Sequence, residues 1–164
     1  MIFQDQVTIN AEASRVWDCL LDVNRVAACM PGVERVTQID DRTFDAAITA
    51  RVGPISGAFS FRAHLLESLP PKEMKAHIEG TDSVTRSTLT ADVAMTLRSV
   101  ETGGTQLAYH ASVDVQGRLA ILGDMVLRAT AALMLEEFMN RLRREVENPT
   151  PIPGEGPGEA AGLL

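Results

Sequence analysis

The chain has 164 residues, 45% of them apolar, with a formal net charge of −7. That is enough for one domain with a real core, and too apolar for a disordered chain. The negative balance excludes a nucleic-acid surface, which needs clustered Lys and Arg, and disfavours electrostatic binding to anionic lipid.

Residues Ile2 to Ile9 alternate, with Phe3, Val7 and Ile9 on one side and Gln4, Gln6 and Thr8 on the other, which predicts a half-buried strand. Asn10 is a fitting N-cap for a helix over Ala11 to Leu21 that carries Val16, Trp17, Leu20 and Leu21. A second short helix spans Val23 to Cys29 and stops at Pro31-Gly32. A short strand, Val33 to Ile39, opens a run of longer ones. Thr43 to Val52, Ile55 to Leu69, Glu73 to Thr81, Thr85 to Leu97 and Thr105 to Val115 all alternate apolar with polar residues. Their links are short and rich in turn residues: Asp40-Asp41, Gly53-Pro54, Pro70-Pro71, Gly80-Thr81-Asp82 and Gly103-Gly104. Short links make consecutive strands antiparallel neighbours.

Gly117 to Asn148 reads as one long helix. Leu119, Leu122, Val126, Ala129 and Leu133 form one apolar stripe. Met125, Ala132, Leu135, Met139, Leu142 and Val146 form a second, rotated one. A surface helix normally buries one stripe, so the extra face in the first four turns needs a cover. The fold expected is α+β: a folded domain over 1–147, with a curved seven-stranded antiparallel sheet gripping the long C-terminal helix and two short helices between strands one and two. A flexible tail over 148–164 follows, with four Pro and four Gly from Pro149 to Leu164.

Such a sheet leaves a cavity between itself and the helix. The Gly53 to Gly57 turn, the Gly80 to Thr88 segment, Met30-Pro31-Gly32 and Gly117 gather where the helix begins, and the cavity mouth is expected there. The helix start would offer free N–H groups to a carbonyl or hydroxyl head group. The expected wall comprises Trp17, Leu20, Met30, Phe44, Ile48, Phe59, Phe61, Leu89, Tyr109, Leu119, Leu122, Met125, Val126 and Ala129.

No catalytic constellation is evident. His64, His77 and His110 fall on polar strand faces and read as surface histidines, and HExxH, P-loop and GxSxG patterns are missing. Tyr109 and Trp17 read as packing residues. Asp5 and Glu67 interrupt apolar faces near strand ends and do not read as an acid–base pair. Arg141, Arg143 and Arg144 complement the helix dipole. Cys19 and Cys29 form no CxxC and have no His at ligand spacing, so they read as reduced, partly buried thiols. No apolar run approaches 18 residues and no signal-peptide pattern opens the chain, which reads as cytoplasmic. No metal or covalent cofactor is expected.

Trp17-Asp18-Cys19-Leu20-Leu21-Asp22, Cys29-Met30-Pro31-Gly32-Val33-Glu34, Val52-Gly53-Pro54-Ile55-Ser56-Gly57 and Gly117-Arg118-Leu119-Ala120 with Leu122-Gly123 carry a resemblance. With them the chain, over about Met1 to Val146, resembles the carbon monoxide dehydrogenase G-subunit family. That family belongs to the START-like (polyketide cyclase, Bet v 1-like) helix-grip superfamily. The resemblance implies a non-catalytic accessory protein with a quinone or lipid in its cavity. It also implies molybdenum hydroxylase subunits as partners and a cytoplasmic location peripheral to the inner face of the membrane. The rival readings are a small cyclase or aromatase, with Tyr109 as the acid, and a ligand-free assembly factor that docks its extra stripe on a partner or self-associates.

Overall fold

A computed structural model describes residues 1–149; the expected tail over 148–164 lies almost wholly outside them. Seven strands run β1 (Ile2–Ile9), β2 (Val33–Asp40), β3 (Thr43–Val52), β4 (Ile55–Leu69), β5 (Glu73–Asp82), β6 (Ser87–Ser99) and β7 (Thr105–Gln116). Helices α1 (Ala13–Leu21) and α2 (Val23–Cys29) lie between β1 and β2, and α3 (Asp124–Glu147) closes the described chain. The strands form one antiparallel sheet in the order β1-β7-β6-β5-β4-β3-β2. Register shifts at Val33/Arg35, Gln38/Asp40 and Leu65/Glu67 are the local bulges that let such a sheet curl around a helix.

The helix boundaries depart from the sequence pattern in two places. Ala11 does not start α1, because it is pinned to the sheet end: its N–H donates to the Ile9 carbonyl at 2.9 Å and its carbonyl accepts the Thr105 hydroxyl at 2.7 Å. Glu12 is the N-cap instead of Asn10, and Asn10 donates its N–H to Glu147 at 2.7 Å.

The C-terminal segment is not one helix. A 3-10 turn, Arg118–Leu122, precedes α3, and Gly123 separates the two with φ of 87°. An L side chain rarely adopts that backbone, so a glycine resets the chain direction where the alternation of apolar residues shows no break. Gly117 has φ of 97° and lies against Arg86 and Ser87 of the β5–β6 turn, where a Cβ would sit 2.7 Å from Ser87 Cα.

Two solid clusters hold the helices on the sheet. One, beside the end of α3, packs Ile9, Val16, Trp17, Cys19, Cys29, Leu97, Leu107, Phe138, Met139, Leu142 and Val146. Polar contacts reinforce this end: Arg25 pairs with Glu145 at 3.3 Å, and an Arg15 guanidinium N–H donates to the Val146 carbonyl at 2.7 Å. The other cluster, beside the start of α3, packs Val52, Phe59, Leu119 and Leu127 with Leu122, Val126, Ile55 and Met1.

Candidate functional site

Between the two clusters the inner face of the sheet is not filled. A cavity of about 400 Å³ lies over β2 to β6, roofed by α1, α2 and the middle of α3. That volume falls in the ordinary range for small-molecule sites. The void has a compositional cause. Ala46, Ala63 and Ala91 on the strands, Ala27 on α2 and Ala131 on α3 present methyl groups where the flanking clusters present Phe, Leu and Trp. Larger walls close around them: Val26 and Met30 from α2, Met134 and Leu135 from α3, and Ile48, Phe61, Ile78 and Leu89 from the sheet. Leu21, 40% exposed, stands at the rim.

All nineteen lining residues are Ala, Val, Leu, Ile, Met or Phe. No side chain of the wall donates or accepts a hydrogen bond, and none titrates. An apolar molecule fits such a space, and a polar one loses its water there without replacement.

Leu20, Met30, Phe44, Ile48, Phe61 and Leu89, all expected in the wall, line this cavity. The other eight do not. Phe59, Leu119, Leu122 and Val126 belong to the solid cluster at the start of α3, and Trp17 to the opposite one. Tyr109 and Ala129 line a separate groove between β1 and α3, and Met125 is 84% exposed. The expected wall included neither these five alanines nor Val23 and Val26 of α2. The signal for both was present: five alanines fall in phase with the apolar positions, and α2 is apolar enough to face inward.

The expected gathering of turns at the start of the helix is real, but it seals that end. Gly53 abuts Val126, whose Cγ1 would lie 3.2 Å from a Cβ there, and Gly117 abuts the β5–β6 turn. Asp82, buried in that turn, accepts the Thr85 hydroxyl at 2.7 Å and the Val84 N–H at 3.1 Å. Burial raises its carboxyl, but hydrogen bonds from Thr85, Val84 and Ala58 outweigh it and hold the group below the usual carboxylate range. The Thr85 and Ser87 hydroxyls are bonded at 2.8 Å, and Ser87 accepts the Leu119 N–H at 3.0 Å. That N–H is therefore not free for a ligand head group.

Other polar groups stand away from the cavity. Tyr109 sits opposite Asp5 across the β1–β7 pair, and burial followed by the Asp5 charge pushes its hydroxyl up. His77 bonds Asp92 at 2.7 Å and Glu79 at 3.2 Å on the outer face of the sheet. Cys19 and Cys29 are buried and unbridged, as their spacing suggests. Among the described residues no cluster of His, Cys, Asp or Glu suits a metal, and no helix is long and apolar enough to cross a membrane.

The fold is shared with solved structures. A conserved protein from Geobacillus kaustophilus matches with a TM-score of 0.82 at 20% identity, over 89% of this chain and 95% of that one. The Zhui aromatase/cyclase from Streptomyces sp. R1128 matches at 0.70 and 16%, over 95% and 99%. A START superfamily protein from Mycobacterium smegmatis matches at 0.67 and 13%, over 91% and 99%. At such identities these likenesses establish the helix-grip fold and nothing of the chemistry. Comparison with curated proteins finds no match by sequence. The profile of the CoxG family, the G subunit of carbon monoxide dehydrogenase, matches residues 6–147. With most of its length so matched and a helix-grip architecture around an apolar cavity, the chain belongs to the CoxG family.

Proposed function

We propose that this protein is a non-catalytic accessory protein that carries an apolar molecule, a quinone or similar lipid, in the cavity between α2, α3 and the sheet. It serves a molybdenum hydroxylase of carbon monoxide dehydrogenase type in assembly, membrane recruitment or electron transfer. The observation that carries the reading is the wall itself: nineteen apolar side chains and no polar one.

General acid–base or nucleophilic chemistry needs a titratable group within hydrogen-bond reach of the reacting atom. No side chain of this wall supplies one. Tyr109, the acid that a cyclase reading would require, lies in the β1–α3 groove instead. Burial of a hydrocarbon chain, at about 0.8 kcal/mol per methylene, is the binding force such a wall offers. It also dictates a pose for a quinone. The wall has no donor for a ring carbonyl, so the isoprenoid chain would lie inside and the ring near Leu21, at the rim, where water or a partner enzyme can reach it.

The test is mass spectrometry of freshly purified native protein extracted into organic solvent. A stoichiometric isoprenoid or lipid is expected, and it should vanish from a variant whose cavity is filled. An empty extract from native protein that binds no added quinone refutes the reading.

A further inference from the structure

The apolar surplus of the C-terminal segment faces water, not the cavity. Ile121 is 82% exposed, Met125 84% and Leu133 67%. Met125, Ala129 and Leu133 recur every four residues and so share one face of α3, with Ile121 on the turn just before it. Ala129, Ala132 and Leu133 line the same groove as Ile2, itself 48% exposed. A monomer seldom leaves a patch of this kind open.

We propose that the chain forms a two-fold homodimer through this strip, with the start of α3 in one copy running antiparallel to the start of α3 in the other. The charges around the strip select that occupant. Arg118 precedes it and Glu136 follows it, both exposed and without an ion-pair partner among the described residues. Asp124 is likewise unpaired. The Arg128 guanidinium touches no carboxylate: it donates to the Ile2 carbonyl at 3.0 Å and lies 5.2 Å from the Phe3 ring centroid. Arg118 and Arg128 thus stand with Asp124 and Glu136 around the strip, and Asp5 faces it across the groove, so charges of both signs rim it, whereas an anionic lipid surface calls for a basic rim.

Only one orientation uses that complementarity. A two-fold axis parallel to the helices sets Arg118 against Arg118 and Glu136 against Glu136. An axis across them, with Met125 over Ala129 of the partner subunit, runs the helices antiparallel, so the end that carries Ile121 and Arg118 lies toward the partner's Leu133 and the partner's Glu136. The methyl side chains at positions 129 and 132 leave the recess that Met125 needs. The pairing is isologous and closes after two copies.

Sedimentation velocity of the full chain over a wide concentration range tests this. A mass of two chains is expected. Leu133→Glu and, independently, Met125→Glu should raise the dimer dissociation constant by roughly thirtyfold or more, as at an interface hot spot, with the circular dichroism melt unchanged. Arg118→Glu should weaken the dimer, and adding Glu136→Arg should restore it. A single-chain mass at every concentration overturns the proposal, as does a dimer indifferent to both apolar substitutions. A monomer that floats with neutral phosphatidylcholine vesicles would give the strip to a lipid surface, and one that sediments only with added hydroxylase would give it to that partner; either refutes the homodimer. None of these outcomes bears on what the cavity holds.

Discussion

Ser87 Oγ accepts the backbone N–H of Leu119 at 3.0 Å, across 32 residues of chain. This bond fastens the β5–β6 turn to the 3-10 turn and, through Leu119, to the cluster that closes one end of the sheet. Both residues are almost fully buried.

Replacing Ser87 by Ala therefore strands a buried N–H and removes a partner of the Thr85 hydroxyl. The expected loss is about 1–3 kcal/mol of stability, read as a lower midpoint in urea. The cavity is not touched, so ligand content should survive. An unchanged midpoint would mean that the bond contributes nothing net.

Ala131 offers the opposite experiment. Its methyl group forms part of the cavity roof. Ala131→Leu should fill the void, raise the stability of ligand-free protein by about 0.5–2 kcal/mol as cavity-filling changes commonly do, and abolish ligand retention. A calorimetric melt beside the extraction assay checks both. A destabilised variant that still carries ligand would place the void elsewhere.

His77 predicts a slope of stability with pH. The bond to Asp92, then that to Glu79, raises its folded pKa above 6.5. A raised folded value means that its contribution is fully present below 6.5 and is lost as pH rises through the folded pKa. His77→Gln should flatten that part of the curve. Unfolding free energies measured well below and well above 6.5, in both proteins, give the comparison. Equal slopes would refute it.

The thiols should be silent in the native state. Burial, and next the neighbouring Cys19, push Cys29 up to about 11. Cys19 is raised as well, mainly by burial. Near pH 8 roughly one Cys29 in a thousand is thiolate, and thiolate is the reactive form. An aromatic disulfide reagent should label neither residue until denaturant is added, and then both. Rapid labelling of native protein would contradict the burial.

The strands were legible because one face of the sheet is dry and the other wet. The strands Thr43–Val52 and Ile55–Leu69 begin and end where the alternation does, and α2 ends where Pro31-Gly32 requires. The break at Gly123 was not legible, since Leu119, Leu122 and Val126 keep helical spacing across it. The gathering of glycine-bearing turns at the helix start was also readable. Whether they frame an opening or a plug was not, because that depends on Phe59, Leu122 and Val126 meeting across the gap. Periodicity names the inward face and says nothing of how far its side chains reach. Met125 shows the same limit: its spacing marks an apolar face, but only the seating of α3 on Leu127, Phe138 and Leu142 decides that the face looks outward.

The placement of empty space between two solid ends separates what keeps the domain folded from what it can carry. Leu142, Trp17, Phe59 and Leu119 fasten α3 at both extremities, while the alanines between them bear little of the packing. Exchanging those alanines for slightly larger or smaller groups resizes the chamber without loosening either fastening. One frame can thus take a chamber of different girth while both of its fastenings stay in place.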